Sequence, residues 1–156
     1  MQVDTEALDS LIDKYGARRE TLIPVLQDIQ TRLNWLPEEV LIAVAQRFEI
    51  PLIDLYGIVT FYKSFSLKPR GDHLVTVCVG TACHVRGGQR IVEAIARELG
   101  ISPGGTTEDL KFSLETVNCL GCCAIGPIVV IDGEYYGGMT SQKALSLIRR
   151  IGKEEH

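Results

Sequence analysis

Histidine is scarce in this sequence, tryptophan occurs once, aromatic residues make up only 6%, and no apolar run approaches the length needed to span a bilayer. Each absence excludes something. Of the three histidines, His73, His84 and His156, only His84 stands near a cysteine, which weighs against a metal cluster with two histidine ligands. Basic residues occur singly or in short groups such as Arg149 and Arg150, and the net charge is -4. A phosphate backbone needs a concentrated positive field, so nucleic acid is not an expected partner. No G-x-G-x-x-G opens a helix after a strand, so a nicotinamide or flavin site within this chain is not expected. There is no internal repeat and no low-complexity segment. The opening "MQVDTEALDS" is polar and acidic where a secretory signal would be basic and then apolar, which predicts a cytoplasmic protein without membrane insertion.

What is present suits one ordinary domain or two small ones: 156 residues, 46% of them hydrophobic. The first part reads as helices. Leu8, Leu11, Ile12 and Tyr15 recur at helical spacing up to Gly16, and Leu22, Val25, Leu26, Ile29 and Leu33 form a second stripe. Pro37 is expected to start a third helix, with Glu38 and Glu39 at the positive end of its dipole and Leu41, Val44, Ala45 and Phe48 as its stripe. Pro51 closes it and opens a fourth with Leu52, Leu55, Tyr56 and Val59. Helices this short are unstable alone, so residues 1–67 are expected to pack as a bundle. Trp35, Phe61, Tyr62 and Phe65 are assigned to the core or the domain junction, or to an apolar patch that docks a partner.

From Lys68 the texture changes. After the breaker-rich "KPRGD", residues 68–156 alternate strands and helices. A strand is predicted from His73 to about Val79, a helix with the stripe Ile91, Ala94, Ile95 and Leu99 ending at Gly100, and a strand over 112–117. A hairpin should turn at Asp132 and Gly133, with Tyr135 and Tyr136 packing on the sheet. Thr140 or Ser141 should cap a last helix with the stripe Ala144, Leu147, Ile148 and Ile151. The order β, α, β, β, β, α is what a thioredoxin-like layer of sheet and helices shows, with the first two strands parallel.

The five cysteines carry the chemistry. An odd number in a reducing compartment argues against a disulfide framework and for metal ligation or thiol chemistry. Cys78 and Cys83 form a C-x4-C pair where the first strand runs out; Cys119 and Cys123 form a C-x3-C pair where the second ends. Parallel strands would bring both loops to one end of the sheet. Four thiolates there could hold zinc, as a zinc-stabilised four-cysteine interaction module, or an iron-sulfur cluster with two cysteines on each iron; spacing alone leaves both open. A thiol-disulfide oxidoreductase using Cys119 and Cys122 is a third reading, though an active C-x-x-C opens a helix and "CAIGPIVV" leads into a strand. Cys122 is the spare thiol, read as a small buried apolar residue.

Taken together, "CVGTACHVRGG" and "CLGCCAIGP" resemble the thioredoxin-like 2Fe-2S ferredoxin family, in particular the small iron-sulfur subunit of the NADH-dehydrogenase module of complex I. The equivalent gamma-type subunits of NAD-dependent and electron-bifurcating iron-only hydrogenases and formate dehydrogenases belong to it too. "LIPVLQDIQTRLNWLPEEVL" and "GIVTFYKSF" are similar to that family's N-terminal bundle, so the resemblance spans nearly the whole chain. It implies an N-terminal helical bundle followed by a thioredoxin-like 2Fe-2S domain. It implies one 2Fe-2S cluster, with Cys78 and Cys83 on one iron and Cys119 and Cys123 on the other. The family usually has a small residue, often alanine, where this chain has Cys122. FMN, NAD(H) and further iron-sulfur clusters would sit on partner subunits, one binding flavin and NADH, another a larger iron-sulfur or catalytic subunit. The chain would then be a non-catalytic electron-transfer subunit of an NAD(H)-dependent oxidoreductase. Amides of Val79 to Ala82 and Leu120 to Cys122 are the expected donors to sulfur, Gly80 and Gly121 are expected to let the backbone approach, and Arg86 is a candidate positive charge.

Overall fold

The computed structural model describes residues 5–154, so His156 and the outer limits of both expected domains lie outside it. The chain divides into two compact units, one ending at Pro69 and the other starting at Arg70; the sequence placed the change after residue 67.

The first unit holds helices α1 (Thr5–Tyr15), α2 (Leu22–Leu33), α3 (Glu38–Arg47) and α4 (Leu52–Phe61). Gly16 ends α1 in the left-handed region at φ 74, its N–H donating to the Ile12 carbonyl at 2.8 Å. Pro37 and Pro51 stand one place earlier than a first-turn proline would: both are extended and sit immediately before α3 and α4. Their carbonyls still accept the first helical bonds, Leu41 N–H to Pro37 at 3.1 Å and Asp54 N–H to Pro51 at 3.1 Å. A 3-10 turn, Arg19–Thr21, precedes α2 and has no apolar stripe to announce it. The stripes meet in one core of Leu11, Ile12, Val25, Leu26, Leu41, Val44, Leu55 and Val59, among others. Phe65 belongs to that core, Trp35 is half-buried, and Phe61 is 80% exposed, which removes the core from the alternatives for its ring. The reason is that α4 carries apolar residues on more than one face, and only the face with Leu55 and Val59 is covered.

The second unit is built on a four-stranded sheet in the order β2-β1-β3-β4, with β1 (His73–Cys78), β2 (Phe112–Val117), β3 (Val129–Ile131) and β4 (Glu134–Tyr136). β1 and β2 are parallel, as the crossover argument expects, and β3 runs antiparallel to both β1 and β4. A five-residue helix, α5 (Thr81–Val85), follows β1; α6 (Gly88–Leu99) makes the crossover and α7 (Ser141–Glu154) ends the described chain. Val75 and Val77 of β1, Leu114 of β2 and Val129 and Ile131 of β3 form one core with Ile91, Val92 and Ile95 of α6 and Ala144, Leu147 and Ile148 of α7. Both long helices therefore share one face of the sheet. The hairpin turns at Asp132 and Gly133, both at positive φ as a primed turn requires. Tyr136 packs against the core; Tyr135, on the opposite side of the pleat, is 56% exposed, which corrects its assignment to packing.

Candidate metal centre

β1 delivers Cys78 to the carboxyl end of the sheet with its backbone tied on both sides. Its N–H donates to the Ile128 carbonyl at 3.1 Å, and the Val79 N–H donates to the Val117 carbonyl at 2.8 Å. The Val79 amide is thus a sheet bond and not a donor to sulfur. The chain then enters α5, where sequence reasoning expected only a loop, and α5 turns Cys83 inward beside Cys78. Cys83 is 1% exposed and Cys78 2%, and they share an apolar cluster with Ile128.

β2 ends at Val117 and releases the second pair onto a loop. Cys119 and Cys123 are exposed. The Gly121 N–H donates to Cys119 Sγ at 3.3 Å, the kind of backbone donor the sequence anticipated in this segment. Gly121 serves this turn through its φ of 75, and no protein atom would crowd a side chain there. A single 3-10 turn, Cys123–Ile125, leads through Gly126 to β3.

The two loops are fitted against each other. A Cβ on Gly80 would overlap the Asn118 carbonyl oxygen, so the two loop backbones meet closely at this point. A Cβ on Gly126 would lie 2.9 Å from Cys83 Sγ. Arg86 Nη1 donates to the carbonyls of Cys123 at 3.0 Å and Gly126 at 3.2 Å, crossing from the end of α5 to the second loop.

The thiols are electrically linked as well. Burial pushes the Cys83 thiol up from its ordinary value, and the hydrogen bond and charge of Cys78 and the charge of Cys123 add to this. The Cys123 thiol is pushed up mainly by the charge of Cys119, with their hydrogen bond next and a smaller contribution from Cys78. The structure thus brings Cys78, Cys83, Cys119 and Cys123 into one interacting group of two close pairs. Cys122 stands apart: its thiol faces the Leu120 carbonyl at 3.5 Å, and it packs on the apolar cluster of Cys78, Cys83 and Ile128.

The donor set can be tested against the candidate groups. A binuclear iron-sulfur cluster asks for two cysteines at each of two irons, which two thiol pairs suit, and four thiolates also suit one zinc ion. The thiol-redox reading lacks its physical basis, because a single 3-10 turn follows Cys122 and supplies no helix dipole to lower a thiol pKa.

Similarity to known proteins agrees with the site. The hydrogenase subunit HndA of Solidesulfovibrio fructosivorans, described as NADP-reducing, is 40% identical over 133 residues, covering 85% of this chain and 75% of its own. The E subunit of the NADH-quinone oxidoreductase of Escherichia coli is 33% identical over 147 residues, covering 94% and 89%. In structure, 86% of this chain superposes on an NAD+-reducing NiFe-hydrogenase with a TM-score of 0.74 at 19% identity; the match takes up 23% of that hydrogenase chain and speaks for the fold alone. The sequence profile of the thioredoxin-like 2Fe-2S ferredoxins matches residues 8–152, and on that span, with that identity, the chain belongs to the thioredoxin-like 2Fe-2S ferredoxin family.

Proposed function

We propose that the protein is an electron-transfer subunit carrying one 2Fe-2S cluster in a multi-subunit NAD(H)-linked oxidoreductase. The assembly would be a soluble hydrogenase or formate dehydrogenase, or the NADH-dehydrogenase module of complex I. The observation that carries this reading is the convergence of two thiol pairs, from C-x4-C and C-x3-C, at the end of the parallel strands β1 and β2. Cys78 and Cys83 would hold one iron; Cys119 and Cys123 would hold the other. When bound, such a cluster supplies one-electron transfer without any change of protein ligand.

The residues divide the work. Cys78 and Cys83, buried beside Ile128, anchor the centre in the fold. Cys119 and Cys123, exposed, present it to a partner, so electrons cross on that side. Gly121 contributes an N–H to Cys119 sulfur, which stabilises the thiolate. Cys83 and Cys123 must lose protons to bind iron, and both thiols are held above their ordinary value, so loading weakens as pH falls. The partner of this reading is a subunit that binds flavin and NADH, since no dinucleotide motif occurs in this chain. The chain alone is not an enzyme on this reading. No helix among the described residues is long and apolar enough to cross a membrane.

Metal and sulfide analysis of the full chain purified anaerobically tests the proposal. Iron and acid-labile sulfide in equal amounts, with a red-brown colour, are expected. Zinc without sulfide, or thiol-disulfide activity without metal, would overturn it.

A further inference from the structure

Arg86 is exposed and lies immediately after α5, where a solvated side chain is the ordinary expectation. Its contacts are not ordinary. One guanidinium nitrogen, with two hydrogens to give, donates to two carbonyls of the other cysteine loop, those of Cys123 and Gly126. These carbonyls bracket the 3-10 turn that carries the fourth thiol. Arg86 therefore spans from the segment that places Cys83 to the segment that places Cys123.

The same geometry sets its electrical distance. The point where a Gly126 Cβ would stand is 2.9 Å from Cys83 Sγ and 3.9 Å from Arg86 Nη1. The cation is thus within about 7 Å of a ligand sulfur, a range at which unit charges still interact appreciably at an effective dielectric of about 20. Four thiolates and two sulfides make an anionic centre, and adding one electron adds one negative charge. A fixed cation at this range stabilises the reduced state more than the oxidised one.

We propose that Arg86 is a positioning residue of the metal centre, holding the Cys119–Cys123 loop against the Cys78–Cys83 loop and raising the reduction potential of the cluster through its charge. This rests on the 2Fe-2S reading given above. Its charge is exposed and partly screened, so the expected effect is about tenfold in the reduced-to-oxidised ratio at a fixed potential, which is about 59 mV for a one-electron couple.

The test compares the full-length chain with Arg86→Gln and Arg86→Lys after anaerobic reconstitution with iron and sulfide, each titrated potentiometrically and followed by visible absorption and by the EPR signal of the reduced state. Arg86→Gln should shift the potential downward by the amount given, and the gap to the native protein should narrow at high salt. Arg86→Lys should restore most of the potential, since it keeps the charge. A potential in Arg86→Gln equal to the native one, with cluster bound, would overturn the charge role. Hydrogen exchange of the metal-free proteins reads the tie by itself: amides of residues 123–126 should exchange faster in Arg86→Gln than in the native chain, and equal protection would overturn the positioning role. That second measurement also decides if Arg86→Gln fails to load. A native chain that bound no iron and sulfide would instead refute the 2Fe-2S reading, while the exchange result would still judge the tie.

Discussion

Cys78 and Cys83 stand at the end of a strand and inside a short helix, both almost wholly buried, whereas Cys119 and Cys123 stand on an irregular loop and are exposed. The first pair is placed by sheet bonds and by an apolar cluster that would exist without any metal. The second is placed by contacts between loops: Gly80 against Asn118, Gly126 against Cys83, and Arg86 to two carbonyls. One half of the centre is therefore part of the fold, and the other half is held to it. An electron carrier needs both, a rigid seat for one side of the cluster and an open side toward the partner.

Substitution of the proposed ligands should produce the largest effects and expose the asymmetry. Changing any of Cys78, Cys83, Cys119 or Cys123 to serine is expected to abolish or severely weaken cluster retention, read as iron and sulfide per chain. The metal-free proteins should then differ. Cys83→Ser buries a hydroxyl in an apolar cluster and should cost about 1–3 kcal/mol in urea unfolding. Cys123→Ser, at an exposed position, should stay within about 0.5 kcal/mol of the native chain. Equal costs would break the distinction between a seat and an attachment.

The glycines give the next largest effect. Gly80→Ala places a methyl group into the backbone of Asn118, which cannot swing aside as a side chain would. The loops must separate, at a cost of about 1–3 kcal/mol and with impaired loading of the second iron. Gly121→Ala meets no neighbour and has only its positive φ to accommodate, which should cost about 1 kcal/mol and leave loading largely intact. A Gly121→Ala protein that loaded worse than Gly80→Ala would show that turn geometry, not loop contact, sets the second pair.

Cys122 should matter least of the local residues. Its thiol faces a carbonyl and an apolar cluster, so Cys122→Ala removes a half-buried sulfur at a cost under about 1 kcal/mol and leaves iron and sulfide content unchanged. Loss of the cluster in Cys122→Ala would mean that the loop can re-register and that the ligand set is not the one proposed.

Much of this organisation was legible in the sequence because it rests on periodicity and turn chemistry. The stripes of α1 to α4 and the turn at Asp132 and Gly133 follow from short-range rules, and the parallel pairing of β1 with β2 from crossover handedness. What escaped depends on contacts between segments distant in sequence. α5 is five residues long, "TACHV", with no capping side chain and a β-branched residue at each end, so nothing local predicts a helix; it is held between β1 and α6. Val79 offered a free amide only until β2 came alongside. Gly80 and Gly121 look alike in the sequence and play different parts, one making room for Asn118 and the other turning the chain. The exposure of Phe61 and Tyr135 likewise follows from which face the neighbouring elements cover, which residue type does not reveal.

A remote control sharpens the comparison with the smallest expected effect. Arg149 on α7 grips Glu98 on α6 through Nε at 2.7 Å and Nη2 at 2.9 Å, on the helical layer and not on the cysteine loops. The Arg149 hydrogen bonds hold the Glu98 carboxyl below its ordinary value of 4.5. A depressed carboxylate stabilises the fold above its unfolded pKa and loses that contribution as pH falls through the folded one. Glu98→Gln should therefore lower the unfolding midpoint slightly at neutral pH, and its difference from the native protein should shrink below pH 4.5 and vanish once the native carboxyl is protonated. Because the pair is exposed, added salt should reduce the difference as well. Iron content and reduction potential should stay at native values throughout. If Glu98→Gln altered loading as strongly as Gly80→Ala, the second loop would be responding to global stability, and the contacts at Asn118, Gly126 and Arg86 would lose their specific meaning.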